Sequence, residues 1–445
     1  MYSFRKMKSR FCLIVLSVLL LIGAVGCSPV VDPENTTNPA NTGSTITSTS
    51  EPTDVPEPTD VPEPTDTPEP TDVPEPTDAP EPTKVPEPTG VDAESYKQAQ
   101  SVFAKMSTRE KVLQLIITTP NQITEYNTVT RAGETTKAAL KKYPVGGLIF
   151  FANNITDSGQ INGMLYNSQN YSKYGLFLST DEEGGTVARL ANTKGMGVKK
   201  FDNMGIIGAS GNPADGYQVG LEIGKYMKKL RFNLDFAPVA DVFSNPDNTV
   251  IGNRAFSSDP DIAADYVSQC VQGFRDAGMI CTLKHFPGHG DTTGDSHADT
   301  VTTKKTLEEM MTCEMKPFRA GIQAGAEFVM VGHINTPGLS DKDLPASLNE
   351  DVITGILRKK LGFDGIVITD AMNMGAITKR YKSGEAAVAA ILAGADIILM
   401  PEKLDETINA LVKAVENGTI SEERLEESVM RILYCKAKHG ILKGY

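Results

Sequence analysis

Tryptophan is absent from this 445-residue sequence, and histidine and cysteine are scarce, with five and six residues. Basic charge is also in short supply, because 56 acidic residues outnumber 43 lysines and arginines and the formal net charge is −13. A surface that binds nucleic acid is therefore not expected. Four cysteines of the later sequence show no paired spacing, which favours buried free thiols, although an exported protein could pair two of them: Cys270, Cys281, Cys313 and Cys435.

The first 27 residues are typical of an export signal. A basic start precedes the apolar run FCLIVLSVLLLIGAV, and small residues follow directly before Cys27. This arrangement resembles a bacterial lipoprotein signal, which implies that Cys27 is lipidated and anchors the mature protein to the cell membrane. An uncleaved anchor and an ordinary signal cut elsewhere are the alternatives, and both also place the remaining chain outside the cytoplasm.

Residues 28–92 are predicted to be a linker without a packed core. They carry most of the acidic excess, since residues 1–90 contain 14 acidic and 5 basic residues. The tripeptide EPT recurs seven times at a six-residue period, and its prolines favour extended chain over a solenoid. At roughly 3.1 Å per residue the segment reaches on the order of 190 Å, which suits a spacer next to a membrane. A low-complexity tail without a function is the alternative.

Residues 93–445 have the composition of one globular domain. Eight apolar runs predict strands, and amphipathic stretches predict helices over 213–230, 259–278, 306–326 and 421–440. Strands alternating with helices over about 350 residues favour a (β/α)8 barrel of the TIM type, with an open doubly wound sheet as the alternative. The predicted strands cover 112–119, 146–151, 176–181, 234–239, 280–285, 328–333, 365–370 and 395–400.

Polar residues stand where the predicted strands end, which favours the barrel, because its active sites lie at the carboxyl ends of strands. The residues are Asp181, Lys284, His285, His333 and Asp370. For Asp370 the alternative is the N-cap of a following helix. After Asp181, the acids Glu182 and Glu183 are expected to face solvent, whereas Arg189 could return to the same cleft.

The stretch KHFPGHGDTTGDSH, residues 284–297, contains three of the five histidines. Its glycines predict a long loop over the barrel mouth. Asp295 and His297 are two residues apart, so an extended segment presents them on one side as an acid/base pair. A metal site built from His285, His289 and His297 and a merely structural loop are the alternatives, although the spacing matches no familiar metal motif.

Four motifs together resemble glycoside hydrolase family 3, in particular its bacterial β-N-acetylhexosaminidase branch. They are DEEGGTVARL, GNRAF, KHFPGHGDT followed by DSH, and ITDAMNMGA, in this order. The resemblance implies a retaining mechanism with Asp370 as nucleophile and Asp295 with His297 as the acid/base unit. It also implies that the sugar is bound by Asp181, Arg189, Arg254, Lys284 and His285.

The end of the chain at Tyr445 leaves no room for the second domain that supplies the acid in β-glucosidases of this family, which favours an exo-acting β-N-acetylglucosaminidase on cell-wall or chitin-type saccharides. A β-glucosidase, a phosphorylase and a non-catalytic sugar-binding lipoprotein are the alternatives. Thr186 departs from the family's usual arginine. We expect no cofactor and no metal, a monomer, a saccharide substrate, and membrane contact only through the lipid anchor.

Overall fold

The protein is described by a computed structural model over residues 91–292 and 300–444. Cys27, the repeat segment up to residue 90, and the pair Asp295 and His297 lie outside the described residues. The predictions made for them therefore stay predictions.

Eight parallel strands form the centre of the domain. They follow one another around the sheet in chain order, and β1 pairs with β8 through Ile116 and Ile398. A bridge between Ile368 and Ile397 closes the ring between β7 and β8. The strands are β1 (Ile116–Thr118), β2 (Gly147–Ile149), β3 (Phe177–Thr180), β4 (Leu234–Asp235), β5 (Ile280–Phe286), β6 (Phe328–Val331), β7 (Ile366–Thr369) and β8 (Ile398–Leu399). The predicted (β/α)8 barrel is confirmed, and the open sheet is excluded.

Helices surround the barrel, and among the described residues none is long and apolar enough to cross a membrane. The α-helices are Val91–Phe103, Thr108–Gln114, Pro120–Thr124, Glu134–Lys142, Ser158–Tyr171, Met204–Gly208, Ala214–Lys229, Pro260–Asp276, Leu307–Thr312, Met315–Gln323, Gly375–Thr378, Ser383–Ala393, Leu404–Glu416 and Glu422–Lys438. A π-helix spans Asp351–Lys360, and 3₁₀ turns span Ala152–Asn154, Gly252–Arg254 and Ala346–Leu348. Two short pairs of strands lie outside the barrel: Glu182–Gly184 with Val187–Ala188, and Val301–Thr302 with Ile334–Asn335.

Most predicted strands are shorter in the structure, as in 234–239, where the strand is Leu234–Asp235, and two predicted elements differ for an identifiable local reason. The stretch 112–119 was expected to be all strand, but its first residues belong to the helix Thr108–Gln114, which begins at a capping box formed by Ser107 and Glu110. The predicted helix 306–326 is divided at Cys313. Pro317 explains the break, because its ring would clash with the carbonyl of Cys313 in a continuous helix.

Two helices of the outer layer are brought close together by glycine. Gly220 on Ala214–Lys229 faces the backbone of Pro260–Asp276, and a Cβ added there would lie 2.1 Å from the carbonyl oxygen of Cys270. Gly273 on the second helix faces the backbone of the first, and a Cβ added there would lie 2.2 Å from the carbonyl oxygen of Tyr217. The two helices flank β4 in the chain, so this packing sets the position of the strand that precedes the Arg254 loop.

Candidate active site

A cavity of about 350 Å³ opens at the carboxyl ends of the strands. All five predicted sugar-binding residues and Asp370 line it, although they come from separate stretches of chain. The polar part of its wall is Asp181, Glu183, Arg189, Arg254, Lys284, His285, His289, Asp370 and Asn373. The apolar part is Ile149, Phe151, Val187, Val250, Met330, Ala371, Met374, Leu399 and Met400. This location is the one that the barrel geometry predicts for a functional site.

One side of the cavity is a network of opposite charges centred on Lys284. Its ammonium lies 2.9 Å from Asp181 Oδ1 and 2.7 Å from Glu183 Oε1. Arg254 grips the same Glu183 with two donors, from Nε to Oε2 at 2.9 Å and from Nη2 to Oε1 at 2.7 Å. Arg189 completes the network more loosely, 3.4 Å from Asp181 Oδ2. Paired charges of this kind hold one another in fixed positions and keep donors available to a ligand.

Glu183 was expected to face solvent, and this expectation is wrong. Its side chain is buried, and the cations of Arg254 and Lys284 explain how the charge is tolerated. Burial acts to raise the pKa of Glu183, but these two cations hold it well below the usual value. Burial likewise acts to lower the pKa of Lys284, and the carboxylates of Asp181 and Glu183 raise it instead. Glu183 and Lys284 are therefore both charged at neutral pH.

Glu182 is also buried, contrary to expectation, and it serves the loop rather than the cavity. Its carboxylate accepts the backbone amides of Leu190 at 2.7 Å and Ala191 at 2.9 Å, and the hydroxyl of Tyr226 at 2.7 Å. Burial raises the pKa of Glu182. These bonds hold the hairpin that carries Arg189 close to the end of β3, so Glu182 positions the cavity wall.

Asp241, which sequence reasoning missed, anchors both histidines of the KHFPGH stretch. Its Oδ2 lies 2.8 Å from His285 Nδ1, and its Oδ1 accepts the backbone amide of His289 at 2.6 Å. The ring of His289 lies 2.8 Å from the hydroxyl of Thr292. A carboxylate on Nδ1 fixes the imidazole so that its other nitrogen is turned away from Asp241. The available signal was an aspartate two residues beyond the predicted strand 234–239.

Asp370 directly follows β7 and lies partly exposed at the cavity wall. The N-cap alternative is wrong, since its Oδ1 accepts the amide of the next residue, Ala371, at 2.7 Å, and the following helix begins after Met374. Although burial acts to raise the pKa of this carboxylate, the imidazoles of His285 and His333 and the amide of Ala371 bring it below its usual value. Asp370 is thus an anion at neutral pH, as a carboxylate nucleophile must be.

The metal alternative remains an alternative, because one of its three histidines, His297, lies outside the described residues. Nδ1 of His285 faces Asp241, and Nδ1 of His289 faces the hydroxyl of Thr292. Within residues 91–292 and 300–444, the group of side chains that could converge on an ion is Glu327, Cys435 and His439, which is not part of the cavity wall.

A closed (β/α)8 barrel with a charged, concave site at the carboxyl ends of its strands is an architecture shared by many enzyme families, so the fold alone does not select one. The sequence profile described as "Glycosyl hydrolase family 3 N terminal domain" matches residues 107–435. The chain therefore belongs to glycoside hydrolase family 3, and the resemblance seen in the four motifs is confirmed.

The relatives point to one branch of the family. The chain is 33% identical over 342 residues to β-hexosaminidase LpqI of Mycobacterium tuberculosis, covering 75% of this chain and 84% of the relative. It is 32% identical over 326 residues to β-hexosaminidase A of Pseudoalteromonas piscicida, where it spans 67% of this chain but only 54% of the relative. A solved family 3 β-N-acetylglucosaminidase from Paenibacillus sp. FPU-7 superposes with a TM-score of 0.71 at 36% identity, over 76% of this chain and 64% of that one.

Proposed function

We propose that the protein is a retaining, exo-acting β-N-acetylglucosaminidase that removes terminal N-acetylglucosamine from cell-wall or chitin-type saccharides. The observation that carries the proposal is one cavity that combines an ionised, partly exposed Asp370 with a wall of fixed charges around Lys284. The names of the relatives in the β-hexosaminidase branch support the choice of sugar.

The charged wall suits the hydroxyl groups of a single sugar ring. Asp181 supplies acceptors, while Lys284 and Arg189 supply donors, and each is already held by an ionic partner. Charge-assisted hydrogen bonds from fixed groups discriminate strongly against a ligand that lacks the matching hydroxyl. The apolar wall, which includes Val187 and Met330, suits the methyl group of an acetamido substituent.

Asp370 is the nucleophile in this proposal. Its carboxylate attacks the anomeric carbon, the bond to the leaving oxygen breaks, and a glycosyl ester forms. The Asp295–His297 pair, which lies outside the described residues, protonates the leaving oxygen in this step. His297 then takes a proton from the water that hydrolyses the ester, so the enzyme returns to its starting state. Asp370 stays ionised at neutral pH, and because its pKa is lowered it is protonated only at pH values below those that protonate an ordinary aspartate.

The test compares nitrophenyl β-N-acetylglucosaminide with nitrophenyl β-glucoside on the purified protein. We expect the first to be hydrolysed with the higher kcat/KM, and cleavage of the glucoside alone would reject the proposed substrate.

Asp370→Asn should lower kcat by about a thousandfold or more. In the active enzyme a slow activated substrate should add one glycosyl mass to the intact protein, and a variant that keeps full activity would reject the mechanism.

We also propose that Cys27 tethers the protein to the outer face of a membrane through the repeat linker. The support is the signal-like sequence that precedes this cysteine. Labelling with a radioactive fatty acid in a bacterial host should mark the wild type and not Cys27→Ala, which should be released from the membrane fraction. Equal labelling of both forms would reject the anchor.

A further inference from the structure

A second concavity adjoins the active-site cavity. Its volume is about 420 Å³, and it lies between the segment after β1 and the segment after β8. Asn373 and Met400 line both cavities, so the two form a continuous surface at the barrel mouth. A ligand that fills the first cavity and extends along this side enters the second, which we call the Tyr126 groove. Its other lining residues are Thr119, Asn121, Gln122, Glu125, Tyr126, Asn127, Pro401 and Glu402.

The two sides of the groove are tied together by side-chain amides. Gln122 donates to the carbonyl oxygens of Pro401 at 2.6 Å and Glu402 at 3.2 Å, which joins the first and the last connection of the barrel. Asn121 donates to the carbonyl oxygen of Asn127 at 2.5 Å and holds the outer turn. These hydrogen bonds fix the two sides of the groove relative to each other, so the groove is not a gap between independent loops.

The backbone of the groove is strained at two points. Glu125 has φ 60° and Met400 has φ 48°, and together with Arg231 they are the non-glycine residues with positive φ in the described part of the chain. Such conformations cost of order 1–3 kcal/mol each and concentrate at ligand-binding segments. Two of the three strained residues thus meet in one groove, next to the proposed nucleophile.

The groove presents an aromatic face and polar groups to solvent. Tyr126 is 59% exposed, the highest value among the large apolar side chains of the described residues. Asn373 is exposed and makes no side-chain hydrogen bond within the described residues, and it lies three positions after Asp370. An exposed ring with amide and carboxylate groups around it matches the apolar face and the hydroxyl rim of a pyranose.

We propose that the Tyr126 groove binds the leaving-group side of an oligosaccharide, so that the enzyme prefers substrates with further hexosamine units to short aryl glycosides. This inference rests on the proposed function, because an exo-acting enzyme leaves the rest of the chain only on the leaving-group side. Tyr126 would stack against one sugar, and Asn373 and Glu125 would receive its hydroxyl groups. The groove would contribute binding and positioning without taking part in bond cleavage.

The experiment measures kcat/KM for nitrophenyl β-N-acetylglucosaminide and for β-1,4-linked N-acetylglucosamine oligomers of two to four units. Tyr126→Ala should lower kcat/KM for the oligomers by about 3- to 10-fold, the contribution of one aromatic contact, and should lower it less for the nitrophenyl substrate, so that the ratio of oligomer to nitrophenyl activity falls. Tyr166→Ala is the matched control, since Tyr166 is 51% exposed and does not line the groove. It should change neither value.

Two outcomes would overturn the inference and can be told apart. If Tyr126→Ala leaves the ratio of oligomer to nitrophenyl activity at the wild-type value, the groove is not a sugar subsite although the proposed function stands. If the wild type cleaves none of the N-acetylglucosaminides, the proposed function fails and this assignment of the groove fails with it.

Discussion

The barrel carries a buried charge network at each of its two ends. We call the one at the carboxyl ends of the strands the upper network and the one at the amino ends the lower network. At the carboxyl ends of the strands, Lys284 and Arg254 balance Asp181 and Glu183 around a cavity. At the amino ends, Asp396 is fully buried among arginines of the surrounding helices. Its partners are Arg358 at 2.5 Å, Arg431 at 3.4 Å and Arg424 at 3.8 Å.

The two networks differ in whether their charged side chains remain accessible to a ligand. Both oxygens of Asp396 are also occupied by short bonds from the protein, namely Ser428 Oγ at 2.6 Å and the amide of Val367 at 2.9 Å. In the upper network Asp181 and Arg189 remain partly exposed at the cavity wall. A buried charge cluster therefore indicates a site only where it lines a concave space, while the lower network joins helices to strands and supports stability.

The largest expected effect comes from Asp396→Asn, which keeps the shape and removes the charge. Arg358 would lose the carboxylate that balances it, while Arg424 and Arg431 would keep Glu427. Because a buried charge is left without its partner, we expect the free energy of unfolding to fall by about 3–5 kcal/mol. Urea unfolding measures this change. Activity of the folded variant towards the nitrophenyl substrate should remain within about twofold of the wild type at a temperature where both are folded. An unchanged urea midpoint would contradict the structural role of the lower network.

Lys284→Met should lower activity more than stability, which is the reverse of the result expected for Asp396→Asn. It removes the donor shared by Asp181 and Glu183, so kcat/KM should fall by about a hundredfold, which corresponds to about 2.7 kcal/mol. Arg254 still neutralises Glu183 and Asp181 is partly exposed, so we expect the unfolding free energy to fall by less than in Asp396→Asn. If stability falls as far as in Asp396→Asn while activity persists, the two networks do not differ in the way described.

Acid pH should weaken the lower network. Burial acts to raise the pKa of Asp396, but Arg358 and Arg431 bring it below its usual value. The carboxylate therefore stabilises the fold above the pKa of an unfolded aspartate, about 3.9, and this contribution is lost as pH falls through the lower folded value. The stability difference between wild type and Asp396→Asn should shrink by at most about 1.4 kcal/mol per pH unit below pH 4. A difference that stays constant down to pH 2 in urea titrations would exclude this linkage.

The smallest effect is expected for Arg254→Lys, which retains the charge and loses the two-donor grip on Glu183. The lysine ammonium cannot donate the two parallel hydrogen bonds that the guanidinium donates. The cavity wall should therefore be held less rigidly, and kcat/KM should fall by about tenfold. Thermal unfolding should shift by no more than about 2 °C. Arg424→Lys in the lower network is the matched control, because it should leave kcat/KM unchanged.

Much of the fold could be predicted from the sequence. All eight strands lie where apolar runs of strand length occur, because strands buried on both faces leave a continuous apolar signal. The predicted boundaries were less accurate where a single residue starts or interrupts a helix. Ser107 does so through a capping box and Pro317 through its ring. The described site residues gathered at one cavity because parallel strands bring their carboxyl ends to one edge.

Other parts of the site could not be predicted. Glu182 and Glu183 follow the same strand and have the same side chain, yet the first holds a hairpin through Leu190 and the second pairs with Arg254, 71 positions later. Asp241 gained its role only because His285 and His289 fold back onto it. No local pattern distinguishes these acids, since each environment consists of distant residues.

The sequence by itself determined the barrel class, the family and the residue types at the strand ends, because periodicity and motif order are properties of neighbouring residues. The tertiary structure decided which carboxylates are buried, which cations balance them and which concavities stand beside one another. These outcomes depend on desolvation and on distances between residues far apart in the chain, and both exist only once the barrel is closed.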